Sequence, residues 1–259
     1  MFKHVLVGVL ALTLVAACGS AYAASSLEGP TGIVNVPTTD LAEPGKGDVA
    51  LTWQDLEGDF TRKIVRGVYG VAPGWEVGAL WNKIEDGEDT DIWGLNVKYR
   101  LMREPEQDYG LALGAAYDEM DMDFSSDLKW TRYYLVLSKK LSTNEGDEES
   151  SLGQLTGLVG VVSDRVKADP GGSETDTNIM LGLETVARDG TYVGIDWRPK
   201  WKDVGDSIMS VVVRRAIGKS ASAELGMTNS IGPLGAEDSK VFVGLSWAFG
   251  AGKAEEGEY

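Results

Sequence analysis

From Asp48 to Phe249 the chain repeats one device: apolar residues at every second position, in stretches of about 9–12 residues separated by turn formers. In Lys240–Gly250, Val241, Val243, Leu245, Trp247 and Phe249 fall on one face, and Phe242, Gly244, Ser246 and Ala248 on the other. In Thr90–Leu101 the apolar set is Trp93, Leu95, Val97, Tyr99 and Leu101, opposed by Gly94, Asn96, Lys98 and Arg100. Successive side chains of a strand point to opposite faces, so one face of each stretch must lie in an apolar medium. No long segment shows a clean 3.6-residue period, so helices are excluded as the main content.

Twelve strands are expected, over 48–55, 62–71, 75–84, 90–101, 109–120, 129–141, 155–165, 177–187, 191–200, 206–217, 221–229 and 240–249. The alternation blurs at 62–71, 155–165 and 206–217. Short turns are expected at Ala72-Pro73-Gly74, Arg188-Asp189-Gly190 and Gly218-Lys219-Ser220. Longer loops are expected at Glu85–Asp89, Glu119–Asp127, Lys167–Asp176 and Ser230–Ser239 on the opposite end. Ser142–Gln154 breaks the pattern, being long, acidic and on the short-turn end; a miscounted strand would explain it. The sequence Val-Gly-x-x-Trp occurs at Val77, Val193 and Val243, with Val and Trp on the greasy face and Gly opposite. In a barrel that Gly relieves crowding inside, and the Trp sits at the lipid interface.

Two media satisfy the greasy faces. In a soluble sandwich they bury one another; in a membrane barrel they meet lipid. The opposite faces mix Gly, Ala and Ser with scattered charges rather than a dense charged surface. Closure would also remove edge strands. The expected fold is therefore all-β, an antiparallel up-and-down transmembrane β-barrel of about 12 strands, with a soluble or lipid-anchored periplasmic β protein as the alternative.

The start of the chain agrees with export. Lys3 and His4 precede an apolar run to Cys18, followed by Ala21-Tyr22-Ala23, an A-x-A cleavage pattern. Val15-Ala16-Ala17-Cys18 resembles a lipoprotein lipobox, so lipidation at Cys18 competes with conventional cleavage. The organisation read from this is 1–24 secretory signal peptide, 25–47 N-terminal periplasmic segment or plug, 48–249 barrel and 250–259 acidic tail.

The only His is His4 and the only Cys is Cys18. A body without either has no Ser-His or Cys-His nucleophile and no His-ligated metal. Its formal charge of −16 argues against nucleic acid. Asp118 and Glu119 are adjacent carboxylates, but neighbours in a strand point apart, so they do not converge as an acid–base pair. No catalytic constellation, cofactor or metal is expected. The acidic stretch Glu85–Asp91, with Asp118, Asp121 and Asp123, offers oxygen ligands for Ca²⁺ or Mg²⁺ but lacks EF-hand spacing, and reads instead as solvated loop that bridges lipopolysaccharide through divalent ions.

Gly244, Trp247 and Phe249 resemble the C-terminal β-signal of bacterial outer-membrane proteins, which implies recognition by the barrel assembly machinery. Phe242 stands where a polar residue is usual, and ten residues follow Phe249. Gly29-Pro30-Thr31-Gly32-Ile33-Val34-Asn35-Val36-Pro37-Thr38 resembles the opening of YjbH-like outer-membrane proteins, which implies a link to exopolysaccharide production and secretion. Those proteins are usually much longer than this chain.

Projecting the polar faces inward gives candidate lumen residues Arg66, Glu76, Lys98, Arg100, Asp118, Arg132, Glu184, Asp196, Arg198, Arg214 and Glu224, with Asn82 beside them. Left open, this basic lumen would favour anionic solutes or saccharides. The same charges paired with one another would close it, as small barrels often do. The expected role is a non-enzymatic channel or export accessory in the outer membrane. The alternative is a plugged structural barrel with acidic partner-binding loops.

Overall fold

The computed structural model describes residues 24–56, 61–85, 90–103, 109–122, 127–142, 153–169, 171–187, 189–202, 206–218, 220–231 and 234–250. Twelve strands form one closed antiparallel barrel. They are β1 Gly47–Asp55, β2 Thr61–Ala72, β3 Trp75–Glu85, β4 Thr90–Met102, β5 Gly110–Met122, β6 Asp127–Ser142, β7 Leu155–Asp169, β8 Ser173–Val186, β9 Tyr192–Arg198, β10 Ile208–Ile217, β11 Ala221–Ile231 and β12 Leu234–Phe249. Every strand pairs with its sequence neighbours, and β12 returns to β1 with Thr52 opposite Gly244, Val49 opposite Trp247 and Gly47 opposite Phe249. The up-and-down order follows from period two: each hairpin keeps the same face outward, and closure leaves no edge.

The outward face is apolar around the circumference. Val49, Trp53, Val65, Trp81, Leu95, Tyr133, Val161, Ile179, Met209, Val213, Met227 and Trp247 are all exposed. A patch of that extent does not occur on a soluble monomer; lipid is its solvent. This rules out the soluble sandwich. At the end that carries the first and last strand residues, Tyr69 stacks with Phe249 at 6.2 Å and Trp75 lies 4.5 Å from Tyr99. Trp93 and Tyr117 pair at 5.6 Å nearer the other end. Amphipathic rings in such positions suit a membrane–water interface.

Three expectations about connections change. Most of the expected outer loops are strand: β5 runs to Met122, β7 to Asp169, β8 begins at Ser173 and β12 at Leu234. Their residues are polar on both faces, but ladder bonds need no apolar face, and Asp164 opposite Asp176 through Lys167 opposite Ser173 continue the β7–β8 ladder. The Ser142–Gln154 connection does join β6 to β7 on the short-turn end, with no strand miscounted. β9 is shorter than expected, ending at Arg198, because the chain then folds across so that Trp201 lies 5.7 Å from Trp130 of β6. The signal sequence, Cys18 and most of the tail lie outside the described residues, as do Glu88, Asp89 and Asp123.

Candidate functional site

The interior is occupied by the chain's own residues 25–39, every one of them buried. This inner segment folds on itself. Ser26 N donates to Pro30 O at 2.7 Å, Leu27 N to Val34 O at 2.8 Å, Ile33 N to Val36 O at 3.0 Å and Thr38 N to Thr31 O at 3.1 Å. Gly29 takes φ +105°, a left-handed turn that a side chain would resist, and a Cβ there would meet Asn96 Nδ2 at 2.6 Å. Gly182 and Gly194 open space for Ile33: added Cβ atoms would lie 2.8 and 2.6 Å from its side chain. Leu27, Ile33 and Val34 pack with Ile64, Val136, Leu158, Val212 and Phe242. Val36 packs with Tyr134, Val162 and Met180. Phe242, the apolar departure from the assembly-signal pattern, is thus an interior packing residue.

The segment's remaining polar groups are met by lumen side chains. Asp196 Oδ2 accepts three successive backbone N–H groups, from Val34 at 2.8 Å, Asn35 at 2.6 Å and Val36 at 3.1 Å. Glu76 accepts Thr31 N at 3.0 Å, the Thr31 hydroxyl, and Ala42 N at 2.8 Å. Lys98 Nζ donates to Thr31 O at 2.8 Å and lies 3.6 Å from Glu76. Arg214 donates to Gly32 O at 3.0 Å and to Ile33 O, while its Nε bonds Glu224 at 3.1 Å. Arg66 joins Glu224 at 2.6 Å and donates to Ser25 O at 3.1 Å.

Glu28 is the segment's own charge in this network. It bridges Arg132 and Arg198, the latter at 3.2 Å. Both arginines also bond Asp164 at 2.9 Å, and Trp130 Nε1 donates to the same carboxylate at 2.8 Å. Low dielectric makes an unpaired charge expensive, so nearly every deep charge has a counter-charge or several donors. Asp118 is the departure: it is buried against Gly94, and its Oδ1 has no hydrogen-bond partner among the described residues. Its sequence neighbour Glu119 faces away, 3.4 Å from Lys129.

Nine of the eleven lumen candidates are therefore buried inside, while Arg100 and Glu184 are half-buried near one mouth. Sequence reading missed Glu28, Asp48, Arg62 and Asp164. Arg62 and Asp164 have the same parity as Arg66 and Val162 in their strands, a usable signal. Arg62 donates to Gln54 and Asn82, both at 3.1 Å. Gly244 packs inward under Glu224, whereas Trp247 and Phe249 face out. No group of three or more His, Cys, Asp or Glu side chains able to hold a metal occurs among the described residues.

The inner segment divides the lumen unequally. On the far side a void of about 20 Å³ remains between Leu27, Glu28, Arg62 and Asp118. On the side of the short turns there is an open vestibule of about 860 Å³, floored by Thr31, Gly32 and Thr38–Ala42. The side chains of Arg100, Arg103 and Lys140 line it with no hydrogen bond or ion pair among the described residues, while the charge of Glu43 acts on both arginines. Lys46 is held at 2.5 Å by Glu43, whose carboxyl that hydrogen bond keeps below its ordinary range. Arg215 pairs with Asp189 at 3.1 Å. Asp40, Glu43 and Glu184 also line the vestibule, yet its described basic residues outnumber them, in a strongly acidic chain.

No family model and no curated protein matches the chain, and the YjbH-like resemblance finds no support there. Among solved structures the barrel is similar to the KdgM porin, at 11% identity and TM-score 0.55, over 79% of this chain and 99% of that one. The same porin in complex with disordered oligogalacturonate gives TM-score 0.56 with the same identity and coverage. Omp33 of Acinetobacter baumannii is more distant, at 9% identity and TM-score 0.45 over 79% of this chain and 98% of that one. At these identities the likeness is one of fold: that of outer-membrane β-barrels.

Proposed function

We propose that the chain is a non-enzymatic, porin-like barrel of the outer membrane that passes anionic solutes or saccharides, and that its inner segment closes the lumen at rest. The observation that carries this is the vestibule: three cations with no ion pair among the described residues stand over a floor that hydrogen bonds and packing hold against the barrel wall. Low-dielectric walls focus such a field and concentrate anions at the mouth. The fold likeness to a porin in complex with disordered oligogalacturonate supports the solute class. The apolar belt supports contact with outer-membrane lipid. β12, which closes the barrel, supports handling by the barrel assembly machinery. The acidic far end supports a lipopolysaccharide contact bridged by divalent ions.

The test is single-channel conductance in a planar bilayer, with reversal potential under a salt gradient. Native protein should stay closed most of the time and open to anion-selective steps. Asp196→Asn, which weakens the seat of the inner segment, should open more often. Cation selectivity, or silence of both proteins, would defeat the reading. A closed structural barrel is the second reading. It is favoured by the near balance of the dry interior, where six buried cations face seven buried carboxylates among the described residues. It requires that Arg198→Ala destabilise the fold while leaving permeability unchanged.

A further inference from the structure

The inner segment starts inside the barrel. Ala24 is half-buried on the vestibule wall, its carbonyl accepting Gly32 N at 3.1 Å, and Ser25 is wholly buried. The first contact of the segment is with Asp48, at the start of β1. Asp48 Oδ1 accepts the Ser25 hydroxyl at 3.0 Å and lies 3.4 Å from Ser25 N. Asp48 is only 3% exposed, yet no Lys or Arg forms an ion pair with it among the described residues. Arg66 is nearby, but its guanidinium is committed to Glu224 and Ser25 O. Among the buried carboxylates described, Glu28, Glu76, Asp164 and Glu224 each have a cation, whereas Asp48, like Asp118 and Asp196, has none and is met by the Ser25 N–H and by the hydroxyls of Ser25 and Ser246. A carboxylate at this depth calls for a counter-charge.

The sequence supplies one. Ala21-Tyr22-Ala23 is a cleavage pattern that ends one residue before the segment. We infer that leader removal between Ala23 and Ala24, one residue before the division after residue 24 read from the sequence, makes the new amino terminus a lumen group, its ammonium serving as the counter-charge of Asp48. Water adds across the Ala23–Ala24 amide under an envelope signal peptidase. Ala23 leaves as a carboxylate on the leader, and Ala24 keeps the amine, which is protonated. That nitrogen belongs to the residue next to Ser25, whose Cα is about 3.8 Å from the Ala24 Cα and whose hydroxyl meets Asp48. Processing thereby places a positive charge where the segment enters from the vestibule wall, beside the buried Ser25. The inference stands apart from solute passage: a silent barrel would need the same seat.

Intact mass of the protein purified from membranes is the first test. A chain beginning at Ala24 is expected; one beginning at a diacylated Cys18, or retaining the leader, overturns the inference. The charge is tested with Val34→Cys, a lone thiol buried in the seated segment. Its labelling by a water-soluble maleimide reports release. Asp48→Asn should speed labelling about tenfold, and so should selective acetylation of the α-amine before refolding. The acetylated chain keeps Asp48, so it remains informative if Asp48→Asn does not fold. Unchanged labelling in the acetylated chain overturns the ammonium's role.

Discussion

The two halves of the lumen treat charge in opposite ways. Around the inner segment, Arg66, Lys98, Arg132, Arg198 and Arg214 each face a carboxylate within ion-pair distance, and several of them also bond the segment's backbone carbonyls. In the vestibule, Arg100, Arg103 and Lys140 touch none among the described residues. Water makes the difference. A charge in the dry half costs several kcal/mol unless paired, whereas one that faces an open cavity keeps its hydration and stays available. The dry half is built to hold something still, and the wet half to receive something.

Breaking the dry half should have the largest effect. Glu28→Ala leaves Arg132 and Arg198 sharing Asp164 alone, and truncating one member of a buried pair costs about 3–5 kcal/mol. Denaturant unfolding, followed by heat-modifiable gel migration, should show that loss. Glu28→Gln, which keeps the shape and some hydrogen bonding, should lose less. Next comes Ile33→Ala, which empties a fully buried site between Gly182 and Gly194; large-to-small core changes cost about 2–5 kcal/mol. It should raise amide exchange across residues 25–39 more than in the strands.

Asp196→Asn sharpens the picture at smaller cost. The amide oxygen still accepts, but a charged acceptor for three N–H groups becomes neutral. Bonds to charged groups exceed neutral ones by about 1 kcal/mol. Faster exchange at Val34, Asn35 and Val36, with the strand amides unchanged, is the expected signature. Equal acceleration of the β9 amides would mean that Asp196 supports the barrel rather than the seat.

How far the sequence goes toward this picture differs between the halves. Strand parity alone projects Arg66, Lys98, Arg132 and Arg198 inward, because period two is imposed by the lipid face and carries the inner face with it. β7 blurs because Val161 faces lipid while Val162 packs against the inner segment, so both faces are apolar and Asp164 is hidden among them. The residues from Gly29 to Thr38 stand out as turn formers, but a non-periodic coil has no pattern that says what surrounds it. Its neighbours come from seven or more strands, and Glu28 finds its arginines across more than a hundred residues of sequence. The vestibule is less legible still. Parity projects Arg100 inward, but Lys140 sits where β6 ends and parity loses its meaning, and Arg103 lies beyond β4.

The smallest structural effect and the sharpest functional one should coincide in the vestibule. Replacing Arg100, Arg103 and Lys140 by Ala removes no ion pair found among the described residues, so each should change stability by no more than about 0.5 kcal/mol. The same triple change should erase most of the anion preference in reversal-potential measurements. The native preference should itself fade as salt rises, since the Debye length falls from about 10 Å at 0.1 M to about 3 Å at 1 M. A variant that keeps its stability and loses selectivity separates receiving from holding. A triple variant that unfolds early would instead mean that the vestibule cations support the floor beneath them, and the contrast between wet and dry halves would collapse into a single network.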